Sequence, residues 1–344
     1  MIVVTGALGF IGSCLISFLN QKGIEDIVAV DDFSKSEKDI NLAHTHIYIR
    51  VERDVFLEWF DKNHPSVSFV FHLGARTDTT EFDRSVFLKY NLDYSRYLFL
   101  LCQKYSIPIV YASSAATYGA GELGYSDNDD ALIEQLKPLN PYGDSKNDFD
   151  KWLLQMVESR EVLNAKPFFG GDLAEFPFWV GLKFFNVYGP NEYHKGRMAS
   201  TIFHFFNQIK EKDSVNLFKS HRPDFKDGEQ MRDFIYVMDL VKVMYWFYQK
   251  SLEPTPSVKS GIYNLGTGKA RTFNDLVAGV FKNLDKQLNI SYVPIPEDIR
   301  NSYQYYTEAD MKKLHDAGYD APFTSLEDGI ADYVQNYLIP NKYF

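Results

Sequence analysis

The chain has 344 residues, 45% apolar and 24% charged, which allows a large core and about two domains. Its formal net charge of −10 argues against a nucleic-acid surface or a polybasic membrane patch, and no stretch approaches the roughly 20 apolar residues of a membrane span. Two cysteines, Cys14 and Cys102, give no disulfide framework, so a reducing, cytoplasmic home is expected.

In chain order, "IVV", "DIVAVDDF", "FVFHLGA" and "IPIVYASS" read as short β-branched or aromatic strands ended by Gly, Asp or Ser. Between them "GSCLISFLNQKG" and "SVFLKYNLDYSRYLFLLCQKY" have helical spacing. Continuous apolar strands alternating with helices predict an α/β fold, a parallel sheet covered on both faces. "WVGLKFFNVYGP" adds a later strand, and the stretch from Asn186 to Arg232 reads as irregular and loop-rich. "DFIYVMDLVKVMYWFY" predicts a strand running into a helix, and "SGIYNLGTGKARTFNDLVAGVF" repeats strand, turn and helix. Residues 162–178 read as a surface insertion, and the tail ends on one amphipathic helix. His44 and His46 alternate as on a strand and read as surface residues; no histidine pair with a nearby carboxylate suggests a metal site.

"VTGALGFIG" sets Gly6, Gly9 and Gly12 between the first strand and the first helix. Such a turn lets backbone approach a pyrophosphate while the helix start, with Phe10 and Ile11, aims free N–H groups at it. The spacing is GxxGxxG rather than GxGxxG, so the triplet alone is weak; its place at the opening strand strengthens it. Asp31, followed by Asp32, closes the next strand, where a carboxylate meets the adenosine ribose. Lys38 and Arg53 lie beyond and either could neutralise a 2′-phosphate, so NADP is favoured and NAD stays open. The strand end Leu73, Gly74 and Ala75, with Arg76, Thr77 and the Asn91 amide, would flank the dinucleotide.

Tyr142 and Lys146 are four apart and share a helix face. A phenol is a poor base near neutral pH, but an adjacent ammonium favours its phenolate. Ser114 or Thr117, at the carboxyl end of a strand, would hold the substrate oxygen. Each residue alone has an ordinary structural explanation. Glycine turn, ribose acid, Ser/Thr and YxxxK in this order form a hydride-transfer set.

These blocks, with "FFNVYGP", "MRDFIYVMD" and "YNLGTG", resemble the extended short-chain dehydrogenase/reductase family, across Met1 to about Gly268. "TDTTE", "NVYGPNEYHKGRMAS", "FKDGEQMRDFIYV" and the stretch from Ser302 to Val334 are closest to its nucleotide-sugar epimerases acting on a side-chain carbon of an ADP-linked heptose. The resemblance implies a doubly wound Rossmann sheet in residues 1–186 and 233–265, with a smaller α/β substrate-binding lobe in 187–232 and 266–344. It implies tightly bound NADP, a homo-oligomer and a nucleotide-sugar substrate serving lipopolysaccharide inner-core synthesis. It makes Lys195 a second base opposite Tyr142, with Val187 and Lys195 also beside the cofactor. It gives substrate contacts to Asn186, His204, Phe218, Lys219, Ser220, His221, Arg232 and Tyr303. Arg197 departs from the family pattern, which has a small serine there, and is either an extra phosphate contact or a solvent-facing residue. A UDP-hexose 4-epimerase would share the glycines, Ser114 and YxxxK without needing Lys195. A 4,6-dehydratase would carry an acidic pair that "SSAATYG" lacks, and a non-catalytic dinucleotide sensor would have no need of the whole set.

Overall fold

The computed structural model describes residues 1–79, 81, 83–164, 176–300 and 303–344. The insertion read at 162–178 therefore falls for the most part outside the described residues. Seven parallel strands form the central sheet: β1 (Ile2–Thr5), β2 (Ile27–Asp31), β3 (Ile49–Glu52), β4 (Phe69–His72), β5 (Ile109–Ser114), β6 (Trp179–Phe184) and, after three strands that lie outside it, β10 (Gly261–Leu265). Their order is β10-β6-β5-β4-β1-β2-β3. The chain thus starts in the middle and winds outward both ways, the doubly wound arrangement expected of such a sequence. Strands β1, β4 and β6 are buried throughout, as a sheet covered on both faces requires.

The α-helices through Asn283 are α1 (Phe10–Gln21), α2 (Arg53–Asn63), α3 (Arg84–Phe87), α4 (Tyr94–Lys104), α5 (Pro141–Asn164), α6 (Thr201–Lys212), α7 (Val237–Ser251) and α8 (Phe273–Asn283). Between α3 and α4, Leu88–Asp93 form a π-helical turn, so the three pieces make one run. The remaining strands are β7 (Asn186–Tyr188), β8 (Val215–Phe218), β9 (Met231–Tyr236), β11 (Ala270–Thr272) and β12 (Ile290–Val293). They build a three-stranded sheet β11-β9-β7 and a parallel pair β12-β8.

Two expectations are corrected. The stretch 186–232 is not merely loop: it holds β7, α6, β8 and the start of β9. Helix α6 buries Ile202, Phe205, Phe206 and Ile209, the i, i+3, i+4, i+7 stripe of an amphipathic helix. His44 lies in a turn and His46 in the irregular stretch after it, neither in a strand; Thr45 folds back on the Leu42 carbonyl through both its N–H and its hydroxyl. Cys14 and Cys102 are both buried and unbridged. Among the described residues no helix is long and apolar enough to cross a membrane.

Candidate active site

The glycine turn is built for close contact. Gly6 has φ +70°, and a Cβ there would lie 2.8 Å from the Gly74 Cα; one on Gly12 would lie 2.1 Å from the Gly6 carbonyl oxygen. Only bare backbone lets β1, α1 and the loop after β4 meet this way. Helix α1 starts at Gly9 without a side-chain cap, so its first N–H groups point out of the turn unclaimed by side chains. Phe10 is buried beneath them and Ile11 half-buried. Asp31 accepts from the Leu8 N–H at 2.9 Å and the Asp32 N–H at 2.8 Å, which pins the carboxylate to the rim of the turn. Asp32 accepts from Ser34, and Arg53 lies 3.9 Å from it. The Arg53 guanidinium also bonds Asp54 at 3.1 Å and covers the Tyr90 ring at 4.5 Å. Lys38 is half-buried in the turn Ser36–Leu42. The cradle fits a dinucleotide on its own geometry: an uncapped helix start, backbone with no room for Cβ, and an acid at the next strand end.

Beyond β4, Leu73, Gly74 and Ala75 are half-buried and Arg76 and Thr77 exposed. Asn91 does not reach out of the protein. It is buried, accepts from the Arg76 N–H at 2.7 Å, and donates to the Arg76 carbonyl at 2.9 Å and Ser145 Oγ at 3.0 Å. It holds the 73–77 loop rather than extending from it. His72 anchors the same loop from below. Gly74 N–H donates to Thr5 Oγ1, which donates to His72 Nδ1; His72 Nε2 then donates to Ser95 Oγ, which bonds the Asn91 carbonyl. That chain needs the neutral imidazole, and burial with the nearby Lys146 charge lowers the His72 pKa to about 3.

The candidate acid–base residues converge at the carboxyl end of β5. Ser114 is its last residue, and its side chain is within hydrogen-bonding reach of Tyr142. Burial raises the Tyr142 pKa while the Ser114 contact lowers it. Lys146 donates to the Ala112 carbonyl at 2.7 Å, and burial lowers its pKa to about 8, with Asp150 opposing. Thr117, the alternative to Ser114, is fully buried; its hydroxyl donates to the Ser114 carbonyl at 2.8 Å and accepts from Lys183 at 2.7 Å. Its bonds are taken, so Ser114 is the hydroxyl that faces Tyr142.

The loop Tyr193–Met198 follows β7 and docks on α1. Asn191 donates to Ser13 Oγ at 3.0 Å, Cys14 Sγ contacts the Pro190 carbonyl at 3.4 Å, and the half-buried Lys195 ammonium lies 5.4 Å from the Phe10 ring centroid. Burial lowers the Lys195 pKa; Glu192 works against that. Gly196, with φ 53° and ψ −130°, lets the chain reverse directly after the lysine. Glu192 is fully buried and accepts from the Ser200 N–H at 2.5 Å, Ser200 Oγ at 2.7 Å and Tyr333 at 3.0 Å. Sequence reasoning passed over it; its signal was an acid three residues before Lys195. Arg197 is exposed and pairs with Asp78 at 3.5 Å. Val187 is half-buried in β7 and Asn186 is exposed beside it.

Arg232, on β9, is buried between the Phe273 ring at 5.7 Å and the Tyr303 ring at 5.4 Å. Its guanidinium donates to the Met231 carbonyl at 2.8 Å and to the Gln304 carbonyl, and burial lowers its pKa. Tyr303 also meets Phe218 edge-on at 5.8 Å. These three come together; the neighbouring polar residues do not all join them. Ser220 bonds the Arg222 carbonyl, and His221 Nε2 accepts from the Ile295 N–H, so both tie down their own loop. Lys219 is exposed, its N–H on the Val293 carbonyl, and His204 lies 3.3 Å from the Arg197 carbonyl. Gln304 donates to the Gly119 carbonyl and so ties the Tyr303 segment to the turn that follows Ser114.

The model of the NAD dependent epimerase/dehydratase family matches residues 2–266. The chain belongs to this family. Epimerases of the family resemble it over almost its whole length. The ADP-L-glycero-D-manno-heptose-6-epimerase of Fusobacterium nucleatum is 44% identical, with 98% of each chain covered. That of Nitratidesulfovibrio vulgaris strain DP4 is 47% identical, again with 98% of each covered. The crystal structure of the Helicobacter pylori ADP-L-glycero-D-manno-heptose-6-epimerase superposes with a TM-score of 0.75 at 25% identity, covering 97% of this chain and 95% of that one. NAD-dependence is thus a property of the family.

Proposed function

We propose that this epimerase inverts C6″ of ADP-D-glycero-D-manno-heptose, giving the L-glycero epimer. The bound dinucleotide supplies hydride acceptance and return, so no net oxidation occurs. The protein's residues handle protons and orientation. Ser114 holds the hydroxyl oxygen against Tyr142, and Tyr142 as phenolate takes its proton, with the Lys146 ammonium favouring that phenolate. After oxidation the sugar side chain turns about one bond and presents its other face. The oxygen then lies on the side of the Tyr193–Met198 loop, where Lys195 returns the proton. A lysine whose pKa is lowered by burial is suited to exchange a proton near neutral pH.

Arg232 clamps the diphosphate, flanked by Tyr303 and Phe218, and residues 187–232 and 266–344 serve as the substrate lobe. Arg53, 3.9 Å from Asp32 at the end of β2, and Lys38 in the turn beyond it favour NADP over NAD. The observation that carries the reading is the convergence of Ser114, Tyr142 and Lys146 at the end of β5, with the Lys195 loop seated on the cofactor helix.

The test is incubation of the purified protein with ADP-D-glycero-D-manno-heptose and no added dinucleotide. Conversion to the C6″ epimer with the carbon-bound hydrogen retained is expected. Solvent deuterium fixed at C6″ would mean the hydrogen left as a proton and would refute hydride transfer.

A further inference from the structure

A lysine stands next to the carboxyl end of β6, a strand whose six residues are all buried. Lys183 is 1% exposed. Its Nζ lies 2.8 Å from Asp150 Oδ2 and donates at 2.7 Å to Thr117 Oγ1, under the Tyr118 ring at 5.2 Å. Asp150 is wholly buried on α5, one turn past Lys146 and two past Tyr142. Its remaining bonds come from Tyr111 at 2.9 Å and Ser113 Oγ at 2.7 Å, both on β5. Thr117 passes the contact to the Ser114 carbonyl at 2.8 Å. The pair therefore touches each element around Ser114, Tyr142 and Lys146: the end of β5, the turn after it, and the face of α5.

Stability does not explain such a pair. Two charges pay a desolvation cost of several kcal/mol each on burial, and well-packed apolar residues often serve the fold as well or better.

We propose that Lys183 and Asp150 are positioning residues for the epimerisation, a buried ion pair that locks the Ser114 turn against the helix face of Tyr142 and Lys146. This rests on the reading of Tyr142 as a base. The pair also sets the local field. The Asp150 charge raises the pKa of Tyr142 and of Lys146, and the Lys183 ammonium sits against that charge at 2.8 Å. The other ionisable groups around it are Tyr111 on β5, kept protonated by burial, and His72 on β4, kept neutral. Asp127 and Asp130 lie toward Tyr118 and Tyr111. Arg84 and Glu134, packed on the outer side of α5, are matched by Asp144 and Lys151.

The test compares Lys183→Met, Asp150→Asn and Lys183→Arg for melting temperature, dinucleotide content, KM, and kcat against pH. Lys183→Met and Asp150→Asn are each expected to lower kcat at least about tenfold with KM changed by less than about threefold. The acid limb of kcat should move to higher pH in Lys183→Met and to lower pH in Asp150→Asn, with Lys183→Arg restoring most of the rate. A purely structural pair would lower the melting temperature and leave kcat and its pH limb unmoved, which would overturn the proposal. Should Lys183→Met not fold, the charge-free double variant Lys183→Met with Asp150→Leu takes its place; a wild-type kcat there overturns the proposal equally. Tyr142→Phe separates the two readings. A wild-type rate in Tyr142→Phe removes the base assignment, whereas an inactive Tyr142→Phe beside an unaffected Lys183→Met removes only the ion pair.

Discussion

At the scale of single residues, two cations bear most of the argument. Lys195 contacts the first residue of α1 through the Phe10 ring but supplies none of the glycine turn's backbone. Lys195→Ala is expected to abolish epimerisation while the purified protein still carries its dinucleotide, measured by release on denaturation. A mutant turning over at the wild-type rate would remove Lys195 from the mechanism. Arg232 is buried, and among the described residues its guanidinium meets carbonyls and rings rather than a carboxylate. A diphosphate would satisfy it bidentately. Arg232→Ala should raise KM about 30-fold or more with a smaller effect on kcat; a pure kcat effect would refute the clamp. Much of this residue set was legible because chemistry forced rare side chains into fixed spacings, as with Tyr142 and Lys146 on one helix face. Asn91, by contrast, reads from sequence as flanking the cofactor, yet it spends its amide on the Arg76 backbone. A sequence shows that an amide is near a site, not which side of the loop it faces. Lys183 and Glu192 were passed over because their meaning lies in partners far away along the chain, Asp150 and Tyr333.

At the scale of elements, legibility followed burial. Strands β1, β2, β4 and β5 are continuous apolar runs because helices cover both sheet faces, so they stand out. Strand β3 is an edge with only Val51 buried, and it carried no such signal. Helix α6 was hidden in a region punctuated by "GPNEYHKGR" and "RPDFKDG", although its apolar stripe is intact. It begins at Ser200, whose hydroxyl accepts from the Phe203 N–H and donates to Glu192. Ser200→Ala should therefore cost about 1 kcal/mol of stability from the lost cap, read by denaturant unfolding. Because Glu192 loses a donor in the same variant, kcat should fall as well. Unchanged kcat would show that the Glu192 cluster does not steady the Lys195 loop.

For the molecule as a whole, the neutral His72 ties β1, β4 and the π-helical run together, and this has a pH signature. Its pKa lies near 6.5 in an unfolded chain and at about 3 in the fold. The stability it contributes is complete above pH 6.5 and is lost as pH falls toward 3, because the unfolded chain binds the proton first. Between pH 7 and 4.5 the loss amounts to about 2–3 kcal/mol. His72→Gln keeps one acceptor and one donor without the titration. Its stability relative to wild type should improve by that amount across the same interval, measured by urea unfolding at several pH values. A constant difference at every pH would mean that His72 takes up its proton equally readily in the folded and unfolded chain.

The π-helical turn at Leu88–Asp93 has the Tyr94 N–H bonded to the Lys89 carbonyl, five residues back. Such a turn is an α-helix holding one surplus residue, and it sets where Asn91 points. Excising Lys89 should let the ladder close to the ordinary i→i−4 pattern and rotate the upstream residues by about 100° relative to those downstream. The backbone after β4 would lose its side-chain clasp and its alignment with Ser145. The variant should still fold, with a far-ultraviolet spectrum like the parent's, and purify depleted of dinucleotide. A single-codon deletion would thus convert a holoprotein into an apoprotein without touching any residue that meets the ligand.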